Sequence, residues 1–266
     1  MTQSTTDMMY LRRAALDAMA DLPGPPPPGR PLADIRIDLA AHLSGSGESE
    51  APASLVAAVA GRLLRDDGAG GAGAVIVRGL SRYFDVPEAR LFHENLFRRV
   101  WDQVSQRCGR EGPGDLFKIK VNVTADGAIP LELYGSAWSF KQLHMDRDAL
   151  IFSHLYGPVA GFTGGSLVLA DVRTYMRRHR LRFDDLFEWS EEATPGSKPV
   201  LRAEHEADVL GECGVEIADI GPDEVIFVNN LPSAGILHGI TPVVVAEPES
   251  FERVFHRCSV KGIERC

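Results

Sequence analysis

The chain has 266 residues, of which 44% are hydrophobic and 24% are charged, and its formal net charge is −9. This composition is typical of a globular protein and excludes a disordered, fibrous or membrane-embedded chain. The negative charge argues against partners such as nucleic acid or anionic membranes, which bind positive surfaces. We therefore expect a small-molecule substrate, free or attached to a carrier protein. The oligomeric state stays open.

The four cysteines lie far apart and form no CxxC pair, which argues against a disulfide framework and a zinc knuckle. The first residues, MTQSTTD, lack the charged-then-apolar pattern of a signal peptide. No run of the sequence approaches the roughly 18 apolar residues that a membrane span needs. These features favour a cytoplasmic protein.

The first hundred residues predict helices and buried strands. Residues 7–21 have apolar side chains at helical spacing, and the proline-rich segment 23–31 must end that helix. Residues 1–33 are therefore interpreted as an N-terminal arm. The other predicted elements of this part are a helix over 55–64 with Ser54 as its N-cap, a buried strand over 74–80 and a long amphipathic helix over 87–108.

From residue 116 onward the pattern changes to short strands. Residues 116–124 alternate strictly between apolar and polar side chains. Further strands are predicted at 143–155, 165–169, 199–203, 215–219, 225–228, 235–239 and 252–260. Helices followed by many strands predict an α+β fold with a jelly-roll or barrel core flanked by helices, mostly from the N-terminal part. Residues 34–266 are interpreted as a single domain.

A helical insertion is predicted at about 172–190, between two of these strands. It carries five arginines against an acidic background. Such a run is usually a solvated face, and the alternative is a lid or docking surface for an anionic substrate or an acidic carrier. Both interpretations stay open.

His144 and Asp146 are two residues apart in a predicted strand, a spacing that directs both side chains to the same face. The pattern also occurs by chance, so it needs a second feature. His238, at the end of a short apolar strand, supplies one. Two histidines and one carboxylate are the set that binds iron(II) and leaves three positions open, whereas structural zinc sites are normally closed by four protein ligands.

An arginine follows the second histidine. Arg253 comes 15 residues after His238, and a guanidinium there could bind a carboxylate through two hydrogen bonds. Arg257 would share a strand face with Arg253 and is the rival candidate. An exposed strand position is the alternative for either arginine.

In this order, the motifs VIVRGL, HMD, GFTGGSLVLAD and ILHGITPV followed by an arginine resemble the iron(II)- and 2-oxoglutarate-dependent dioxygenases, particularly the branch with taurine dioxygenase and clavaminate synthase. The resemblance covers most of residues 55–260. It implies a double-stranded β-helix core with His144, Asp146 and His238 as iron ligands. It also implies that Arg253 binds the far carboxylate of 2-oxoglutarate.

Two points of co-substrate binding stay open. Arg257 remains the rival of Arg253. In the family a threonine often follows shortly after a double glycine and contacts the co-substrate, and here Ser166 directly follows that pair. Either Ser166 substitutes for the threonine or the contact is absent.

The resemblance implies an oxidoreductase of biosynthesis that uses Fe(II), 2-oxoglutarate and O2. The expected reaction is hydroxylation of an unactivated C–H bond in a small amino acid or natural-product intermediate, with release of succinate and CO2. Desaturation or cyclisation stays open, whereas Asp146 argues against halogenation, because related halogenases replace this carboxylate with a small residue. The non-catalytic alternative is a cupin-like jelly-roll protein that holds zinc or nickel, which would not need the downstream arginine.

Four more residues are candidates for substrate binding. Gln142 and Arg147 flank the HMD motif. Lys120 and Asn122 lie on the polar face of the preceding strand, for which a solvated face is the alternative. His154 is interpreted as a core residue or a neighbour of the ligands rather than a fourth ligand.

Overall fold

A computed structural model of the chain describes residues 13–14, 16–18, 21, 32–43, 50–65, 71–107, 117–125, 142–146, 149–190, 198–218, 221, 223–247, 250 and 252–261. The predictions for Arg147 and for most of the arm over 1–33 concern residues outside these ranges.

Of the five α-helices in the described residues, the two in the first half include the longest, and three lie in the second half, so the helices do not come mostly from the N-terminal part. They are α1 (Ala53–Leu63), α2 (Val86–Arg107), α3 (Val172–His179), α4 (Phe183–Leu186) and α5 (Ala203–Cys213), with 3-10 turns at Leu32–Asp34, Leu39–Ala41, Leu80–Arg82 and Pro232–Ala234. None of these helices, which cover only the described ranges, is long and apolar enough to cross a membrane.

The predicted cap of α1 is wrong. Pro52, with φ of −60° and ψ of 144°, is the N-cap, and the helix begins at Ala53. Proline already has the extended backbone of a residue that precedes a helix. Ser54 therefore lies inside the first turn, where its hydroxyl is 3.2 Å from Nδ1 of His42.

Strands dominate the second half. They are β1 (Arg36–Asp38), β2 (Ala74–Arg78), β3 (Phe117–Ala125), β4 (Ala149–Ala160), β5 (Phe162–Gly164), β6 (Leu167–Asp171), β7 (Phe187–Ser190), β8 (Lys198–Leu201), β9 (Gly214–Ile217), β10 (Val225–Asn229), β11 (Ile236–Ile240), β12 (Val243–Val245) and β13 (Glu252–Lys261). Within the described residues, the larger sheet has the order β1-β2-β10-β4-β13-β3 and the smaller sheet the order β11-β6-β9. Pairing is antiparallel except between β1 and β2. The chain thus has a mixed helix and sheet architecture, as the sequence predicted.

Alternation along β6 explains how the layers form. Leu167 and Leu169 belong to the core shared with the larger sheet, α1 and α2. Val168 and Ala170 belong to a second core beneath α3. Because neighbouring side chains of a strand point to opposite faces, the smaller sheet is covered on one side by helix and faces the larger sheet on the other.

The predicted insertion over 172–190 is not one continuous helix. Asp171 caps α3 by accepting a hydrogen bond from the backbone N–H of Thr174 at 3.1 Å. Arg180 ends it with a φ of 56°, a left-handed conformation that a helix cannot continue through. The short α4 follows, and the segment ends in β7, which pairs with β8.

Arg173, Arg178 and Arg182 of this segment contact other parts of the protein. Arg173 is only 4% exposed and donates to two backbone carbonyl oxygens. Arg178 pairs with Glu212 of α5 at 2.6 Å, and Arg182 pairs with Asp21 at 2.6 Å. These contacts attach neighbouring elements to one another, and Arg178, Arg180 and Arg182 remain exposed, as a solvated face requires.

Two further elements differ from expectation. The predicted strand over 143–155 is divided, since β4 begins only at Ala149 and His144 forms isolated bridges with Val200 and His238. Helix α5 was not predicted. Its apolar pattern is weak because Val209 is its only fully buried side chain among those described.

Candidate metal centre

His144 and His238 are neighbours although 94 residues separate them. Each donates its backbone N–H to the other's carbonyl oxygen, at 2.9 and 3.0 Å. Their ring centroids are 4.3 Å apart. Met145, between His144 and Asp146, is fully buried in the second core beneath α3. The alternation of side chains therefore turns both ligand candidates inward.

The third member completes a compact donor set. Oδ1 of Asp146 is 3.8 Å from Nε2 of His144 and 3.7 Å from Nε2 of His238. Adjacent ligands of one ion, each at about 2.1 Å, are separated by about 3 Å. Small side-chain movements would close that difference. Two neutral imidazoles and one carboxylate in this arrangement fit a divalent ion such as iron(II).

The orientation of His144 is fixed by the main chain. Its Nδ1 is 2.8 Å from the carbonyl oxygen of Gln142. A carbonyl only accepts, so Nδ1 carries a proton, and the neutral form of this ring would present the lone pair of Nε2 towards Asp146. Gln142, predicted to contact the substrate, thus accepts a hydrogen bond from the candidate ligand His144 through its backbone oxygen.

Asn230 holds the peptide of Asp146 in place, a role that was not predicted. Its Oδ1 accepts the backbone N–H of Asp146 at 2.9 Å, and its Nδ2 donates to the carbonyl oxygens of Asp146, at 3.1 Å, and Ala149. Asn230 is fully buried. The sequence feature that could have indicated this role is the pair of asparagines at 229 and 230, where the apolar strand β10 ends.

Replacing Asn230 with alanine is expected to lower the affinity for iron(II) by about 10- to 100-fold, as is typical when an outer partner of a metal ligand is lost. An anaerobic iron(II) titration measures it. Asn229→Ala is the matched control, because Asn229 is also buried but its Nδ2 bonds to the carbonyl oxygen of Leu63 at 2.9 Å. Equal losses of affinity in both variants would assign Asn230 to folding alone.

The guanidinium of Arg257, on strand β13 of the larger sheet, lies next to the triad. Arg257 donates from Nη2 to Oδ2 of Asp146, and its Nη1 is 3.3 Å from Nε2 of His154. The guanidinium carbon lies 4.7 Å from the centre of the Phe152 ring, which is 4.8 Å from the ring of His238. The carboxylate therefore presents Oδ1 to the histidines and Oδ2 to Arg257.

These neighbours set the charge of the carboxyl. Burial by itself would raise the pKa of Asp146, but Arg257, His238 and His144 together hold that pKa well below its ordinary value. Asp146 is therefore ionised at neutral pH and ready to bind a cation.

The predicted arginines occupy different positions on β13. Backbone register pairs Arg253 with Val159 and Arg257 with His154. Four residues of strand separate the two arginines, or about 13 Å. On the other side of β13 the register pairs Lys120 with Arg257, and Asn122 lies two residues further along β3 towards Arg253.

Ser166 immediately precedes β6. Its N–H donates to Oγ1 of Thr241 at 3.0 Å, and the N–H of Thr241 donates to its carbonyl oxygen at 2.9 Å. It precedes Leu169, the residue opposite His238, by three positions. The backbone of Ser166 is thus hydrogen-bonded to Thr241 through both its N–H and its carbonyl oxygen.

No family model matches the sequence, and no curated protein matches it. Among solved structures, the chain is similar to asparagine oxygenase, with 16% identity, a TM-score of 0.46 and 96% of this chain and 90% of that chain covered. A complex of asparagine oxygenase with Fe(II), 2S,3S-3-hydroxyasparagine and succinate gives 15% identity, a TM-score of 0.44, and 98% and 92% coverage. A taurine dioxygenase from Burkholderia xenovorans gives 14% identity, a TM-score of 0.43 and 86% coverage of each chain. At TM-scores below 0.5 these similarities to oxygenases assign neither a fold nor a function by themselves.

Proposed function

We propose that this protein is an iron(II)- and 2-oxoglutarate-dependent oxygenase built on a double-stranded β-helix, with His144, Asp146 and His238 as its iron ligands. The observation that carries the proposal is the division of the Asp146 carboxylate, with Oδ1 near both imidazoles and Oδ2 bound by Arg257. A carboxylate held in this way can ligate through one oxygen only. A facial set of three protein ligands leaves the remaining positions for small molecules.

When bound, iron(II) would supply the oxidising chemistry with 2-oxoglutarate and O2, leaving succinate and CO2. The protein's own residues then position and enclose the site. Asn230 and the Gln142 carbonyl orient two of the ligands. Phe152, 1% exposed, covers His238 with an apolar ring and keeps water from that side.

The two arginines take separate roles in this proposal. The guanidinium of Arg257 already binds Asp146, so its main role is to hold that carboxylate. Arg253 then binds the far carboxylate of 2-oxoglutarate, with Ser166 as a further candidate contact. Lys120, which the register pairs with Arg257, and Asn122, which it pairs with Phe255, are candidates for substrate binding together with Gln142 and Arg147.

The expected reaction is hydroxylation of an unactivated C–H bond in a small amino acid or natural-product intermediate, free or carrier-bound. Desaturation and cyclisation need the same metal centre and remain alternatives. Because Asp146 occupies the ligand position that a halide would need, halogenation is not proposed.

Anaerobic addition of iron(II) and 2-oxoglutarate to the full-length protein tests the proposal. A weak visible charge-transfer band is expected only when both are present. A bound metal without that band would overturn the proposal in favour of a cupin-like metal-binding protein. A screen for 2-oxoglutarate-dependent succinate release over amino acids, related metabolites and carrier-bound acyl groups then identifies the substrate.

A further inference from the structure

The strands that turn Phe152 and Arg257 towards the triad carry a second set of polar side chains on their opposite face, beneath α2. His256 and Cys258 on β13 and His93 on α2 are 3%, 0% and 0% exposed. One donor atom from each lies within 4.8 Å of the other two. The function proposed above uses none of these three residues.

The two imidazoles face each other through the same ring atom. Nδ1 of His93 is 3.0 Å from Nδ1 of His256. Two nitrogen ligands at about 2.0–2.1 Å from a tetrahedral zinc ion would be separated by about 3.3 Å, so the observed spacing nearly equals that of a ligand pair.

The outer nitrogens of both rings already have the partners that a metal site requires. Nε2 of His256 is 3.1 Å from Oε1 of Glu94, and Nε2 of His93 is 2.6 Å from Oγ of Ser153. A carboxylate or hydroxyl that accepts the far N–H of a ligand histidine orients the ring and directs the lone pair of the other nitrogen to the metal.

We propose that His93, His256 and Cys258 form a second metal site, suited to Zn2+, on the opposite side of the larger sheet from the iron triad. Two imidazole nitrogens and one thiolate form a borderline-soft donor set that zinc favours over iron(II) or magnesium. Three protein ligands leave the fourth tetrahedral position for a water molecule or an exogenous ligand. This site is independent of the proposed oxygenase function.

Charge and protonation agree with that assignment. Burial, followed by the neighbouring histidine, lowers the pKa of His93, and burial lowers the pKa of His256 against the opposing effect of Glu94. Both rings are therefore neutral and able to ligate. Burial raises the pKa of Cys258 to about 12, so the metal-free site holds a thiol.

Binding therefore breaks the S–H bond of Cys258, forms a zinc–sulfur bond and releases one proton to solvent. Without metal, one of the facing Nδ1 atoms carries a proton. On binding, that ring changes tautomer and keeps its single proton on Nε2. The hydroxyl of Ser153 can donate to or accept from His93 and so serves both states.

A cavity provides the route from solvent. It has a volume of about 320 Å³ and is lined by His256, Arg90 and apolar residues such as Phe84 and Leu155. A metal ion could therefore reach His256 without unfolding of α2.

The alternative is a hydrogen-bonded chain from Cys258 through Ser153, His93 and His256 to Glu94 that holds α2 on the sheet without metal. Anaerobic titration of the metal-free, full-length protein with Co2+ separates the two. Cobalt bound to a thiolate gives an intense near-ultraviolet charge-transfer band, which the iron triad cannot give because it contains no sulfur. We expect two equivalents of Co2+, one of them with this band, and one proton released as the band develops.

Variants assign the band to the site. His144→Ala/His238→Ala should bind one equivalent with the band intact, and Cys258→Ala should bind one equivalent without it. Cys213→Ser is the matched control and should behave as wild type, because Cys213 lies on α5 away from the cluster. A wild-type protein that binds one equivalent without a thiolate band, or a band lost in Cys213→Ser, would overturn the proposal without any need for the Cys258 variant to fold.

Discussion

Replacing His238 with alanine is expected to abolish the absorption band that requires both iron(II) and 2-oxoglutarate, and to lower 2-oxoglutarate turnover by at least about 100-fold. His238 provides one of three donors around the ion position, and its Nε2 is 3.7 Å from Oδ1 of Asp146. Two remaining donors would hold the ion weakly and without a defined set of open positions. Visible spectroscopy under anaerobic conditions and succinate assays measure the two effects.

His154→Gln is the control for this experiment. His154 is also a histidine of the site and contacts Arg257 at 3.3 Å, but it is not part of the donor set. The glutamine can keep a hydrogen bond to the guanidinium, so the variant should retain the band. An unchanged band in His238→Ala, or its loss in His154→Gln alone, would show that iron binds elsewhere.

Replacing Arg253 with glutamine is expected to raise the KM for 2-oxoglutarate by about 100-fold, or ~2.7 kcal/mol, the scale for loss of one partner of a charged hydrogen-bonded pair. Iron binding in the absence of co-substrate should not change. Arg257→Gln is the companion variant, since it removes an equal charge four residues further along β13. Steady-state kinetics and anaerobic iron titrations of both variants measure the difference.

Arg257→Gln is expected to change the pH dependence of iron binding instead. In the wild type the pKa of Asp146 is held well below its ordinary value, with Arg257 the largest of the lowering influences. At Asp146, protons then compete with the metal only at pH values below that ordinary range, whereas the two histidines must be unprotonated at Nε2 in both proteins. Without the guanidinium, burial raises the pKa of Asp146, so iron binding in the variant should weaken at a higher pH as the solution is acidified.

The two arginine variants test each other. A large rise in the KM for 2-oxoglutarate in Arg257→Gln, with no rise in Arg253→Gln, would exchange the roles proposed here. Equal and small effects in both would remove the arginines from co-substrate binding altogether.

The local pattern of the sequence was informative for most elements whose formation depends on near neighbours, although it misplaced the N-cap of α1 at Ser54. The amphipathic helix predicted over 87–108 is α2 (Val86–Arg107), and the apolar segment 225–228 lies in the buried strand β10 (Val225–Asn229). Helix α5 was not predicted because Val209 is its only fully buried side chain among those described. One buried position is too few to produce a helical periodicity of apolar residues. Arg178, Arg180 and Arg182 of the predicted insertion are exposed, as the solvated-face interpretation expected, but the local pattern could not show that Arg178 pairs with the distant Glu212.

For the triad, the sequence by itself determined that His144 and Asp146 point the same way, since alternation in extended backbone depends only on adjacent residues. Tertiary structure alone decided that His238 lies opposite His144, that Asn230 holds the Asp146 peptide and that Arg257 binds Oδ2. Those contacts depend on the register between segments about 80 to 110 residues apart, which long-range packing fixes and local periodicity does not encode. For the same reason, the sequence could not predict that the rings of His93 and His256 face each other, because they meet only where α2 packs against β13.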